Sequence, residues 1–387
     1  MNFKFLLKWK LIIIIYIFLC FGVGIGLGYF KVKDIKSDQI TDSKIEIQKT
    51  ENTTDKSIPT PPANLDELLT QTTGQVSANS KHLSVLLLGY GGAGHDGGYL
   101  SDTIILVYLD VVKKKLVIIH IPRDLWVNVK IGENIIPMKI NSALAMGTKT
   151  SNYPTTTVSK DVILRASTLT KQAVTTATGL PIDFVVSVDF NNFTGAINSL
   201  KGIDVKLQTA FDDPWYPVKG RELELCGHSP EDVTAMSATM SGFNLEKQFP
   251  CRYEHLHFNT GINHMDGETA LKFSRSRHTS SDFDRGMRQI AVVRAVVNKL
   301  FTLDALNNIK SFYDNLTKSV KTDISVDQLN IIAPILKTIP DLEVVEIGLD
   351  NTNVLQNGTS SGGAYILMPK EGDNNWDGVK KYVEGKI

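Results

Sequence analysis

Thr103-Ile-Ile-Leu-Val-Tyr-Leu109 and Leu116-Val-Ile-Ile-His-Ile121, joined by Asp110-Val-Val-Lys-Lys-Lys115, set the fold class. Both runs are short, apolar and rich in β-branched residues, and the polar connection suits a hairpin or a close strand pair. Upstream, Ser84–Gly89 (SVLLLG) is a third such run, ending in glycine as a buried strand does. Downstream, Lys160–Thr178 carries apolar residues at helical spacing and stops at Gly179-Leu180-Pro181. Phe184–Val188 and Ile203–Leu207 read as strands around a helix at Phe193–Leu200. Asp266 can cap a helix through Ala270, after which Lys272–Arg277 reads as extended. Asp284–Leu300 reads as a long helix with Ile290, Val293, Val297 and Leu300 as its apolar stripe. Helices at about 304–320 and 326–338, strands at Glu343–Ile347 and Tyr365–Met368, and a short helix at Trp376–Val383 close the chain. Helices interleaved with apolar strands predict an α/β domain over residues 82–387, in two or three layers.

The chain has 387 residues, of which 42% are hydrophobic, enough to build a core and exclude global disorder. Its 41 basic and 41 acidic residues cancel, which argues against wholesale nucleic-acid binding. Leu11–Phe30 (LIIIIYIFLCFGVGIGLGYF) holds no charged residue. About 20 residues at ~1.5 Å rise cross a hydrocarbon core of ~30 Å. Lys4, Lys8 and Lys10 precede it, and Lys31 and Lys33 follow with Asp34 close behind, so residues 1–10 are expected to stay in the cytoplasm. The run is longer than a signal-peptide core and no Ala-x-Ala site follows, which favours an uncleaved single-pass anchor over a cleaved leader. Residues 31–81 are polar, with the stop Pro59-Thr-Pro-Pro62, and read as a flexible tether holding an extracytoplasmic domain off the membrane. Three cysteines are too few for a disulfide-built scaffold. Cys20 lies in the span, whereas Cys226 and Cys251 can oxidise outside the cytoplasm; a bridge between them is favoured over two unpaired buried thiols.

Three segments can carry chemistry. Gly89–Gly98 holds six glycines in ten residues, which would let the backbone approach a bulky ligand; a flexible turn is the alternative. Asp102, just beyond it, begins a strand and is either a turn cap or a ligand for a divalent cation beside a phosphate. Ile121-Pro122-Arg123-Asp124 ends a hydrophobic strand, where ligands settle in α/β sheets, although a surface ion pair would look the same. The third segment runs from Arg275 to Gln289. Five of the nine arginines lie between Arg275 and Arg294, in a chain with 32 lysines. Arg275 and Arg277 would share one face of an extended segment, and Arg285, Arg288 and Gln289 one face of a helix start. Guanidinium groups gathered there oppose the helix dipole and repel one another unless an anion compensates, and guanidinium matches phosphate bidentately. A solvated charge run is the alternative. No nucleophile elbow is present, and His255-x-His257 beside Cys251 is a weak zinc signal.

Taken in order, these pieces resemble the LytR–CpsA–Psr family of bacterial cell-wall enzymes. The pieces are the N-terminal apolar run, LLLG, Ser101-Asp102-Thr103, Ile121-Pro-Arg-Asp124, Lys139-Ile-Asn141 and Gly202-Ile-Asp204-Val. His264-Met-Asp-Gly-Glu-Thr-Ala-Leu271, Arg275-x-Arg277 and Asp282-Phe-x-Arg285-x-x-Arg288-Gln289 complete the set. The resemblance implies one extracytoplasmic domain with a central mixed β-sheet flanked by helices, behind one transmembrane helix. It implies a phosphotransferase that moves a glycopolymer from a polyprenyl-diphosphate carrier to a peptidoglycan hydroxyl, with Mg²⁺ or Mn²⁺, at the cytoplasmic membrane. By the same match Asp102 would bind the metal, and Arg123, Arg275, Arg277, Arg285 and Gln289 would hold the diphosphate. Lys139 and Arg288 would also contact substrate, and Asp282 would be the base for the attacking hydroxyl. The chain departs from the family where a second metal carboxylate follows the first strand: Gly89-Tyr90-Gly91 stands there, and Asp96 is the nearest substitute. The arginine usual before Ser-Asp is Leu100. A polyprenyl-diphosphate pyrophosphatase and a non-catalytic binder of lipid-linked wall polymer are the alternative functions.

Overall fold

The computed structural model describes residues 76–77, 80–92, 94–95, 97–132, 134–149, 161–277, 282–302, 313–314, 317–337 and 343–387. Leu11–Phe30, most of the tether and most of the helix expected at 304–320 lie outside them. Among the described residues no helix is long and apolar enough to cross a membrane. The chain opens with β1 (His82–Tyr90), β2 (Ser101–Asp110), β3 (Lys115–His120), a hairpin of β4 (Trp126–Ile131) and β5 (Asn134–Lys139), α1 (Ser142–Thr148) and α2 (Val162–Thr178). It continues through β6 (Phe184–Asp189), α3 (Phe190–Ser199), β7 (Ile203–Leu207), β8 (Phe211–Pro217), α4 (Pro230–Thr239), β9 (Tyr253–Phe258) and β10 (Gly261–Met265). After these come α5 (Gly267–Arg275), α6 (Asp282–Thr302), β11 (Lys321–Thr322), α7 (Val326–Lys337), β12 (Glu343–Gly348), β13 (Leu355–Thr359), β14 (Tyr365–Pro369) and α8 (Asp377–Glu384).

The three apolar runs form the middle of a six-stranded sheet ordered β11-β6-β1-β2-β3-β12. β6 runs parallel to β1 and β12 parallel to β3, while the other neighbours are antiparallel, so the sheet is mixed. The middle strands are apolar on both faces because each face carries a core. Val85 and Leu87 of β1, Ile105 and Val107 of β2 and Ile118 of β3 pack with Phe193, Ile197, Ala270, Phe273, Ile290 and Val293 from α3, α5 and α6. Their neighbours Leu86, Leu88, Ile104, Leu106 and Ile119 pack with Leu144, Ala166, Leu169, Ala173, Val379 and Val383 from α1, α2 and α8. Period-two alternation therefore divides one sheet between two helix layers. The domain is three-layered α/β.

One sequence expectation fails in a way that matters. Lys272–Arg277 is not an extended segment: α5 continues through Arg275. Ala270, Phe273 and Ser274 are buried at helical spacing. Phe273 meets Phe211 and Phe258 edge-on, and Lys272 pairs with Glu268 one turn back and with Glu254 on β9. Packing of that face outweighs the short sequence's ambiguity. Arg275 thus ends a helix, where a cation is favoured, and Arg277 stands beyond it.

Between β8 and β9 the chain makes a long excursion whose helix α4 buries none of its residues. Cys226 and Cys251 close it as a disulfide, with Cα atoms 5.5 Å apart. Peptide mapping without reductant, on protein purified from its native host with thiols trapped at lysis, should return one linked pair. Two alkylatable thiols would reject the bridge.

Candidate functional site

β1, β3, β6 and β12 end, and β2 begins, at the same end of the sheet. The β1–β2 ladder breaks there: Gly89 faces Thr103 and Tyr90 faces Ser101, so Asp102 is the extra residue of a bulge. Bulges re-aim side chains beside sites. Asp102 is only 2% exposed, and its Oδ1 accepts a 2.6 Å bond from Arg123 Nη1. Burial pushes the Asp102 carboxyl above the usual carboxylate range, against the pull of Arg123 first and then of Arg285 and Arg277. Three arginines from three places in the chain thus act on one carboxylate.

The backbone around Asn141 fixes this pair. Its carbonyl accepts from Ser101 N–H (2.9 Å), and its own N–H donates to the Arg123 carbonyl (3.2 Å). Lys139-Ile-Asn141 is therefore a staple between the Asp102 strand and the Arg123 turn. Lys139 itself, expected at the substrate, donates instead to Asp124 Oδ1 at 2.6 Å and braces that turn from behind. A buried carboxylate next door claims the ammonium.

α6 brings the next residues. Arg285 is 3% exposed and Gln289, one turn on, is fully buried. The helix reaches the sheet end because Gly286 lies on His120: a Cβ there would come within 2.7 Å of the imidazole ring. Arg288 was expected on the same ligand-facing side, and the structure corrects this. Its Nε donates to the Phe273 carbonyl (3.0 Å) and its Nη2 to the Ser276 carbonyl (2.5 Å), with the guanidinium over the Phe211 ring. Arg288 caps the end of α5, where carbonyls lack helical partners. Burial pushes its pKa down to about 10, against Asp284 and Asp213, so it stays cationic at neutral pH. Arg288→Leu should therefore cost roughly 1–3 kcal/mol of stability, the price of buried unsatisfied carbonyls, and leave anion affinity nearly unchanged. Denaturant melts with a parallel binding titration check both.

Arg275 lies with its guanidinium 4.5 Å over the Phe190 ring, whose other neighbour is His95 of the glycine loop. Phe190 thus ties the loop to Arg275. Between Arg275 and Arg277, the Ser276 hydroxyl donates to Asp213 Oδ2 on β8, and both residues are buried. Sequence reasoning missed Asp213. Nothing in Phe211-Asp-Asp-Pro214 marks which aspartate faces inward until the strand is placed. Asp96 and the side chain of Asp282 lie outside the described residues; the backbone of Asp282 opens α6.

His120, Arg123, Asp124, Arg285, Leu349 and Leu367 surround a cavity of about 490 Å³ at this sheet end. Asp102 Oδ2, Ser101 Oγ and both amide atoms of Gln289 are buried and have no hydrogen-bond partner among the described residues. Buried polar atoms are almost always satisfied, so such atoms call for a water, an ion or a ligand.

The LytR_cpsA_psr family model matches residues 34–379. The chain belongs to the LytR–CpsA–Psr family. Over 258 residues it is 25% identical to the polyisoprenyl-teichoic acid–peptidoglycan teichoic acid transferase TagV of Bacillus subtilis, an alignment of 65% of this chain and 52% of TagV. It is 26% identical over 254 residues to the transferase TagU of Bacillus cereus, covering 65% and 64%. The chain therefore spans between half and two-thirds of these curated relatives. The crystal structure of B. subtilis TagV superposes with a TM-score of 0.53 at 22% identity, over 79% of this chain and 97% of that one. That likeness carries the family's fold, with its mixed sheet between helices, to this chain.

Proposed function

We propose that this chain is a membrane-anchored phosphotransferase that moves a glycopolymer from a polyprenyl-diphosphate carrier to a peptidoglycan hydroxyl. One observation carries the reading: Asp102, whose Oδ2 has no hydrogen-bond partner among the described residues, is buried against Arg123, which with Arg285 edges the pocket at the sheet end. The names of TagV and TagU, as transferases of a polyisoprenyl-linked wall polymer to peptidoglycan, support it. Arg123, Arg277, Arg285 and Gln289 hold the diphosphate, and Arg275 stands by the glycine loop at the edge. An acceptor sugar hydroxyl attacks the phosphorus that bears the glycopolymer; the bond to the bridging oxygen breaks, and polyprenyl monophosphate leaves. Asp282, at the start of α6, takes the hydroxyl proton. Phosphoryl transfer needs positioning and charge neutralisation more than covalent help.

Mg²⁺ or Mn²⁺ fits the residues present. Asp102 Oδ2 has no hydrogen-bond partner among the described residues, and Mg²⁺ is commonly held by one or two carboxylates together with substrate phosphates. Bound there, the ion would neutralise charge on the diphosphate. Leu11–Phe30 would hold the domain beside its lipid substrate, with residues 1–10 in the cytoplasm.

Product analysis separates the readings. Full-length protein with lipid-linked glycopolymer and Mg²⁺ should yield a glycopolymer–peptidoglycan phosphodiester when peptidoglycan is present. Release of polyprenyl monophosphate with free glycopolymer phosphate, indifferent to peptidoglycan, would identify a pyrophosphatase. Binding without turnover in either metal would identify a non-catalytic binder.

A further inference from the structure

We propose that Asp212, His255 and His257 form a second cation site, built for Zn²⁺ or another transition ion of its class and separate from the Asp102 pocket. His255 and His257 are two apart on β9, so both rings stand on one side of the strand, and Asp212 is the cross-strand partner of His257 on β8. His255 Nε2 lies 2.6 Å and His257 Nδ1 3.0 Å from the same oxygen, Asp212 Oδ1. One ligand atom from each residue falls within a 4.8 Å span. Small side-chain rotations would close that span on an ion with bonds of about 2.0–2.2 Å.

The second nitrogen of His257 strengthens the case. Nε2 lies 3.2 Å from Asn259 Oδ1, so both ring nitrogens face oxygen acceptors. A neutral imidazole satisfies that arrangement when a cation takes the place of the proton at Nδ1. A metal-bound histidine typically donates its other N–H to an oxygen in this way. Two imidazoles and one carboxylate suit Zn²⁺, Ni²⁺ or Cu²⁺ and discriminate against Mg²⁺, which prefers oxygen. All three side chains are about half exposed, so a fourth position stays open to water.

The site also touches the fold's working part. Asp212 faces outward and its neighbour Asp213 is buried, where it holds Ser276 between Arg275 and Arg277. A cation at Asp212 would clamp the strand that anchors this turn.

The test uses the full chain in detergent, free of any affinity tag and stripped with chelator, titrated calorimetrically with ZnCl₂. One equivalent of Zn²⁺ should bind that is lost in His255→Ala and His257→Ala and retained in Asp102→Asn. Asn259→Ala should weaken it by about ten-fold or more. Co²⁺ in place of Zn²⁺ should give visible absorption bands that vanish in the same histidine variants. No stoichiometric Zn²⁺, or Zn²⁺ binding unchanged in both histidine variants, would overturn the site.

Discussion

Replacing Arg285 with methionine is expected to weaken binding of a short-chain polyprenyl diphosphate by about ten- to a hundred-fold. Charge-assisted hydrogen bonds contribute roughly 1.5–3 kcal/mol each, and 1.4 kcal/mol is about a factor of ten. Arg285 is almost fully buried, and with Arg123 and Arg277 it surrounds one carboxylate, Asp102. Asp102 keeps Arg123 as its hydrogen-bonded partner when Arg285 is removed, so the melting temperature of ligand-free protein should change little. Methionine keeps most of the volume, which separates lost charge from lost packing. Calorimetric titration and thermal melts on the same preparation give both numbers. A lower melting temperature with unaltered affinity would make Arg285 a structural ion-pair partner. Arg288→Leu, on the same helix, should show the opposite pattern.

Asp102→Asn should reduce metal-stimulated turnover by about 10³-fold with the fold intact. Asparagine still offers Arg123 an acceptor at Oδ1, so the 2.6 Å contact can persist. It removes the negative charge that a divalent ion needs. A catalytic ion supplies several kcal/mol of charge stabilisation, and each ~1.36 kcal/mol is tenfold in rate. Turnover measured against Mg²⁺ concentration, with circular dichroism as the control for folding, decides the matter. An unchanged Mg²⁺ dependence in the variant would put the ion on another group.

The α/β class was legible because short apolar runs alternate with helical periodicity, whereas the choice between two and three layers waited for the two cores on either side of the sheet. Strands β1, β2, β3, β6, β7 and β12 and helices α2, α6, α7 and α8 stand within a few residues of where periodicity puts them. The β8–β9 pair escaped because Pro214 and Pro217 interrupt Phe211–Pro217, and the β4–β5 hairpin was passed over although Val127, Val129 and Ile131 alternate with Asn128 and Lys130. Their pairing is set by contacts far along the chain. The site was legible as a set of residue types and only partly as geometry. Asp102, Arg123 and Arg285 meet at the sheet end, with Gln289 buried one turn further along α6. Lys139 and Arg288 were drawn away by partners that sequence cannot place, Asp124 in one case and the carbonyls ending α5 in the other. Treating Arg275–Arg277 as a strand hid the role of Ser276, whose hydroxyl reaches Asp213 only because a helix ends there.

A crystal structure of the chain with a short-chain polyprenyl diphosphate and Mg²⁺ tests the central claim most directly. The account predicts the diphosphate in the pocket at the sheet end, its oxygens on Arg123, Arg285 and the Gln289 amide, with the ion on Asp102 Oδ2. A diphosphate bound elsewhere, beside Arg288 and Arg294 for example, with the Gln289 amide still lacking a partner, would contradict it.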